Sequence, residues 1–166
     1  MGIFRLLVVA VLALFAQVAL LPHVEVRHAV PDLLVVVVAF AALHAPIEAA
    51  ATLAFLVGGA ADCLSVAPFG THAAIYLVAA ILFRLLRRWV FREDLLPVAL
   101  MVGLVAGLLC AVHGAALAWG DSGLGAGAVG SRAAAVAAYT ALACPFLWRP
   151  LCGLRRSFGL ARPVPR

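Results

Sequence analysis

The feature that most limits the fold of this chain is the placement of its arginines between long apolar segments. The chain has 166 residues, with twelve arginines and no lysine. Ten of the arginines are Arg5, Arg84, Arg87, Arg88, Arg92, Arg149, Arg155, Arg156, Arg162 and Arg166. Hydrophobic residues make up 67% of the chain and charged residues 11%, whereas soluble domains have about 45–50% and about 25%. The sequence therefore predicts an integral membrane protein.

We predict an all-α fold, a bundle of six transmembrane helices within residues 1–151. The expected spans are residues 3–21, 30–43, 47–61, 70–86, 95–119 and 133–148. The second and third spans are short for a hydrocarbon core of about 30 Å, so they must thin the bilayer, use flanking residues or pack behind longer neighbours. A five-span alternative merges these two. Residues 152–166 form a basic tail that is expected to be cytoplasmic and disordered.

The arginines also predict the orientation, because positive residues collect on the cytoplasmic side of membrane proteins. With six spans and both termini in the cytoplasm, only Arg27 and Arg132 lie on the outer side. The five-span version places the N-terminus outside and misplaces only Arg5. The three tryptophans fall at span ends, as expected of an aromatic belt at the membrane interfaces: Trp89, Trp119 and Trp148.

Several kinds of function are disfavoured by composition and spacing. The net charge of +5 comes from arginines that flank apolar runs, which favours contact with membrane lipids over nucleic acid. The four cysteines lack the spacing of metal ligands and predict neither a zinc site nor a disulfide framework.

No chemical site is predicted either. The glycines at 125, 127 and 130 match a dinucleotide fingerprint, but no strand precedes them, so they predict a flexible external loop from residue 120 to 130. The seven acidic residues form no intramembrane pair. We expect no cofactor and no catalytic activity.

Small residues at four-residue intervals predict close helix packing. Span 3 carries Ala50, Ala54, Gly58 and Asp62 on one stripe, and span 5 carries Gly103, Gly107, Ala111 and Ala115. We favour packing within the protein over homodimerisation. Asp62 has two interpretations: the last member of the seam, facing water, or a polar anchor for a partner or ligand. His72 and His113 each have a structural and a functional interpretation. A further alternative brings Asp62, Ser65 and His72 together at the outer mouth of the bundle.

Three segments together resemble the rod shape-determining protein MreD family. They are Pro31-Asp32-Leu33-Leu34, the run from Gly58 to Ser65 that contains Asp62, and the run from Pro68 to Tyr76 that contains Gly70 and His72. The similarity in order and spacing extends from about residue 28 to 92.

The resemblance implies a component of the bacterial inner membrane that belongs to the cell-elongation machinery. It implies association with MreC, a single-span protein whose bulk is periplasmic, and action with MreB and the peptidoglycan synthases. It also implies a bundle similar to the substrate-binding S-components of energy-coupling-factor vitamin transporters. The expected partner contacts are the matched residues Pro31, Asp32, Asp62, Ser65, Pro68, Gly70 and His72.

The predicted function is a non-catalytic membrane scaffold. The alternative is a vitamin-binding S-component, which needs a pocket lined by polar or aromatic groups. Four residues are available for such a pocket: His72, Tyr76, His113 and Tyr139. Tight binding of a vitamin to the purified protein would favour this alternative.

Overall fold

The computed structural model describes residues 2–19, 30–64, 69–87, 94–119 and 126–154. These residues form six α-helices: α1 (Gly2–Ala19), α2 (Leu33–His44), α3 (Ile47–Leu64), α4 (Thr71–Leu86), α5 (Leu95–Trp119) and α6 (Ala126–Leu154). The described part of the chain is all-helical and forms one bundle, in agreement with the predicted fold class.

Helix α2 lies at the centre of the bundle. It contacts each of the other five helices, and its ten residues from Leu34 to Leu43 are all buried. A helix that is apolar on every side is stable only when it is surrounded, and the sequence LLVVVVAFAALH of α2 has this character. Its twelve residues extend only about 18 Å at 1.5 Å per residue. Of the three alternatives given for this short span, the structure shows packing among longer helices.

The side-chain contacts between helix ends define the directions of the helices. Asp32, just before α2, contacts Tyr76 near the start of α4, and Arg84 near the end of α4 contacts Ala45 at the end of α2. Helices α2 and α4 therefore run in the same direction. Asp62 near the end of α3 contacts the start of α4, so α3 runs in the opposite direction. The chain reverses at residues 45 and 46, which supports six helices over the version that merges α2 and α3.

We name the two ends of the bundle after these contacts. The Asp62 end is where α3 ends and α4 begins, and the Arg84 end is where α2 and α4 end. The predicted orientation makes the Asp62 end the outer one.

The small-residue stripes pack against neighbouring helices of the same chain, as predicted. A Cβ atom on Gly58 would lie 2.4 Å from the Cα atom of Ala73 on α4. A Cβ atom on Gly103 would lie 2.6 Å from the carbonyl oxygen of Ala137 on α6, and one on Gly107 would lie 2.8 Å from the Ala137 Cβ atom. Glycine at these positions lets two helix backbones approach closely.

Helix α6 corrects three expectations drawn from sequence. Residues 126–130 are helical, although we predicted a flexible loop there, and the helix continues to Leu154, into the predicted tail. The first turns of α6 are held by packing, because Val129 fills the space next to Gly114 of α5. Trp148 is buried against Phe40 of α2, with ring centroids 5.4 Å apart, so it does not belong to an interfacial belt.

The remaining boundaries differ from the predicted spans by a few residues. Helix α2 begins at Leu33 rather than at residue 30, because the Asp32 side chain caps it. Helix α3 continues to Leu64. Residues 20–21 of the first predicted span and residues 155–166 of the predicted tail lie outside the described residues, as do Trp89 and the side chain of Trp119.

The outer surface of the bundle suits a lipid environment. In the part of the chain that the structure describes, three helical segments are long and apolar enough to cross a membrane: Ile47–Leu64, Leu95–Ala115 and Gly127–Leu154. Large apolar side chains point outward from the bundle, among them Phe15, Leu104 and Phe146. Exposing apolar side chains over a whole bundle is unfavourable in water, whereas it is favourable in contact with lipid chains. The described residues thus form a membrane-spanning bundle.

Candidate functional site

The corner between α3 and α4 is built around the carboxylate of Asp62. Its Oδ2 atom accepts hydrogen bonds from the backbone N–H groups of Gly70 (2.9 Å) and Ala73 (3.1 Å). Its Oδ1 atom accepts from the backbone N–H of His72 at 2.8 Å and lies 2.9 Å from the His72 Nδ1 atom. A carboxylate only accepts, so this contact places the imidazole proton on Nδ1.

These contacts follow from the needs of a helix start in a membrane. The first N–H groups of α4 have no partner within the helix, and they carry the positive end of its dipole. Gly70 precedes α4 with a left-handed backbone (φ 96°), and no side chain of its own caps the helix. Asp62 supplies the missing acceptor and a negative charge. Its side chain is fully buried, so the interpretation in which Asp62 faces water is wrong.

A second acidic residue, Asp32, joins four helices through its carboxylate and its backbone N–H. Its Oδ1 atom accepts from the N–H groups of Leu34 (3.1 Å) and Val35 (3.2 Å) and so caps α2. The Tyr76 hydroxyl of α4 donates to both carboxylate oxygens at 3.2 Å.

Two polar side chains from α1 and α6 complete this Asp32 network. Gln17 of α1 hydrogen-bonds to the carboxylate, and its Oε1 atom accepts from the Leu34 N–H at 3.3 Å. The hydroxyl oxygen of Thr140, a buried residue of α6, accepts from the Asp32 N–H at 3.0 Å. Unsatisfied polar groups are costly inside a membrane protein, so the network holds α1, α2, α4 and α6 in register.

Three rings lie together next to the Asp62 corner. His72 of α4 and His113 of α5 have ring centroids 5.5 Å apart, and Tyr76 lies 6.4 Å from His72. The His72 side chain is 25% exposed. Phe69 precedes the corner and is 80% exposed, which makes it a prominent apolar ring at this end.

The opposite end of α2 is closed by an arginine. The Arg84 guanidinium donates from Nη1 to the carbonyl oxygens of Ala42 (3.3 Å) and Ala45 (3.1 Å). The last carbonyls of a helix lack intrahelical partners and carry its negative end, so a cation is favourable there. Arg84, predicted only as part of the cytoplasmic cluster, also has this structural role.

The structure brings most of the predicted site residues together. Asp62, Gly70 and His72 are in direct contact, and Asp32 is next to them through Tyr76, whose ring lies beside His72. Pro31 is buried beside Asp32. Ser65 and Pro68 lie outside the described residues.

Sequence reasoning missed the partners of Asp32. Gln17 and Thr140 were not assigned a role, and the hydrogen bond of Tyr76 was not foreseen. The available signal was that Gln17 and Thr140 are polar residues within apolar helices, where such residues usually face a partner. Of the four residues suggested for a vitamin pocket, three have neighbouring rings: His72, Tyr76 and His113. The fourth, Tyr139, lies on α6, one position before Thr140.

The described residues contain no group of three or more His, Cys, Asp or Glu side chains placed to hold a metal ion. The carboxylates of Asp32 and Asp62 are occupied by helix N–H groups and by Tyr76 or His72. The chemical role of this arrangement is to satisfy the hydrogen-bonding groups at the helix ends and so to fix the positions of these ends.

A family comparison gives this geometry a context. The model of the family described as rod shape-determining protein MreD matches residues 1–121. The chain belongs to the MreD family. The match includes α1 to α5 and both carboxylates, and it extends well beyond the residues from 28 to 92 that carried the resemblance. Helix α6 lies outside it.

Membership in the MreD family assigns the chain a role in rod-shape determination. Together with the membrane-length helices, it makes the chain a multi-pass protein of the inner membrane. MreD proteins are shape-determining membrane proteins and not a known enzyme family. No curated protein and no solved structure matches the chain, so the expected likeness to transporter S-components stays a prediction.

Proposed function

We propose that this MreD protein is a non-catalytic scaffold of the cell-elongation machinery. In this proposal it binds a single-span MreC-type partner within the bilayer and at the outer face. It acts with MreB and the peptidoglycan synthases, in part indirectly. Both termini are cytoplasmic, so the Asp62 end faces the periplasm, where the bulk of such a partner is located.

One observation carries the proposal. Two of the three segments that give the chain its resemblance to the family build the corner between α3 and α4. Gly58 allows the close approach of the two helices, Asp62 caps α4, and Gly70 makes the left-handed turn. Rigid placement of a surface is what a scaffold needs from such residues.

The contact surface that we propose is centred on Phe69. This ring is 80% exposed, next to the turn at Gly70 and close to the partly exposed His72. Exposed aromatic rings on a rigid support often dominate binding energy. We assign Ser65, Pro68, Gly70 and His72 to the same contact surface. The other three predicted contact residues support the geometry of this surface: Pro31, Asp32 and Asp62. Pro31 and Asp62 are buried, and Asp32 forms hydrogen bonds with groups from four helices.

The test compares Phe69→Ala with Phe146→Ala, which removes an equally exposed ring (83%) from α6. A tagged MreC-type partner is recovered from crosslinked membranes, and the co-purified MreD protein is normalised to its abundance. We expect Phe69→Ala to lower recovery by about tenfold or more, the usual effect of losing an aromatic hot spot. Phe146→Ala is expected to leave recovery unchanged.

Equal recovery of the two variants and of the native protein would show that the partner does not use this corner. Loss of recovery with Phe146→Ala alone would place the partner on α6 instead. Tight binding of a vitamin by the purified protein, measured by calorimetry, would replace the scaffold by a carrier function.

A further inference from the structure

We propose that His72 and His113 form a binding site for a divalent transition-metal ion of the zinc class at the Asp62 end of the bundle. The proposal is independent of partner binding. It rests on the spacing of the two rings, on the contact between His72 and Asp62, and on a buried nitrogen of His113.

The spacing of the rings fits one shared metal ion. Zinc–nitrogen bonds are about 2.0–2.1 Å long, which places each ring centroid about 3.2 Å from the metal. At bond angles between tetrahedral and trigonal, two such rings have centroids about 5.2–5.5 Å apart. The observed distance between His72 and His113 is 5.5 Å, with the ring planes inclined by 42°.

Asp62 orients His72 in the way that metal sites require. A metal-bound histidine usually donates its second ring N–H to a carboxylate, which fixes the tautomer and makes the ligand more basic. The His72 Nδ1 atom lies 2.9 Å from Asp62 Oδ1. Nε2 is consequently the nitrogen that would bind the metal.

His113 supplies the third argument. Its Nδ1 atom is buried and has no hydrogen-bond partner within the described residues. A buried ring nitrogen without a partner is unfavourable, and a coordination bond would satisfy it. Burial, His72 and the exposed Arg132 disfavour a positive charge near His113, whereas Asp62 favours one.

The chemistry of this site indicates the class of ion. Imidazole nitrogens suit zinc, copper and nickel, whereas magnesium and calcium prefer oxygen ligands. Only two protein ligands are provided by the described residues, so water completes the coordination. The affinity should be well below that of a closed four-ligand zinc site; we expect a dissociation constant of about micromolar size.

The experiment uses the full chain purified in detergent. Titration with zinc chloride is followed by calorimetry, with magnesium chloride as a control for charge alone. The variants are His72→Gln and His113→Gln. The matched controls are His44→Gln, a histidine at the Arg84 end, and the double variant His23→Gln/His28→Gln, which removes the two other histidines of the chain.

We expect one zinc ion per chain and no response to magnesium. His72→Gln or His113→Gln should weaken zinc binding at least tenfold, while both controls bind as the native protein does. Absence of saturable zinc binding overturns the proposal. So does binding that is unchanged in His113→Gln, or binding that disappears in the His23→Gln/His28→Gln variant.

A spectroscopic measurement tests the site with both proposed ligands present, so the result does not depend on whether His72→Gln and His113→Gln fold. Copper(II) is added to the His23→Gln/His28→Gln protein, and electron paramagnetic resonance counts the nitrogen atoms bound to the metal. Coupling to two imidazole nitrogens supports the site. Coupling to one or none overturns it.

Discussion

Replacing Asp62 separates a structural from a recognition role most directly. Within the described residues, the variant Asp62→Leu removes the acceptor of four hydrogen bonds, three from backbone N–H groups at the start of α4 and one from His72. The leucine fills space but accepts no hydrogen bond. The N–H groups at the start of α4 then have no carboxylate partner, and that of Ala73 is buried away from water.

The size of the effect can be worked from these contacts. A hydrogen bond contributes about 0.5–1.5 kcal/mol net, and more when a charged group takes part. Leaving a donor without its acceptor costs about 1–3 kcal/mol, so the lost bonds together should cost about 3–5 kcal/mol. For a chain of this size, that loss lowers the melting temperature on the order of 10 °C. Asp62→Asn keeps one acceptor oxygen and should cost about 1–2 kcal/mol, near the usual effect of a changed cap.

Thermal unfolding in detergent, followed by circular dichroism, measures this loss. The matched control is Glu48→Leu, which removes an exposed carboxylate from the first turn of the same helix and should have little effect. Membrane abundance and partner recovery are measured in parallel, and for Asp62→Leu both should fall together. A variant that melts like the native protein and yet loses its partner would refute the capping role and restore Asp62 as a direct anchor.

Three further predictions test the packing, the Asp32 network and the orientation. Gly58→Ala should lower the melting temperature by several degrees because its Cβ atom meets the backbone of α4, whereas Gly59→Ala, with nothing within 4 Å of its Cβ atom, should not. Tyr76→Phe should lower the free energy of unfolding by about 1–3 kcal/mol, because Asp32 loses a hydrogen-bond donor. The control Tyr139→Phe, at a half-buried position of α6, should change the free energy of unfolding little. A reporter fused near residue 90 should be cytoplasmic, and its export would reverse the assigned orientation.

The close packing of helices was predictable because it depends on local spacing. Four-residue intervals of small residues put Ala54, Gly58 and Asp62 on one face whatever the rest of the chain does. The same argument gave Gly103 and Gly107, which pack on α6. Identity of the partner helix was not predictable, because a small-residue stripe fits any neighbouring helix equally well.

The polar contacts were not predictable because they join distant parts of the chain. Asp32 and Thr140 are separated by 108 positions, and no local pattern relates them. The start of α6 was missed for a related reason. The glycines at 127 and 130 favour a loop by themselves, and only the packing of Val129 on Gly114 explains why the helix extends through them.

The short central helix explains why α4 carries the residues it does. Helix α2 is buried from Leu34 to Leu43, so the unpaired N–H and C=O groups at its ends need partners within the protein. Its N-terminus is capped by Asp32, which the Tyr76 hydroxyl holds, and its C-terminal carbonyls accept from Arg84. Tyr76 and Arg84 are eight residues apart on α4, about 12 Å along the axis, which is a distance comparable to the length of α2. Helix α4 therefore supports both ends of α2, and the start of α4 is in turn capped by Asp62. A change at the Asp62 corner should thus be transmitted to the core of the bundle through α4, and we expect Asp62→Leu and Tyr76→Phe to be non-additive in a double-mutant cycle.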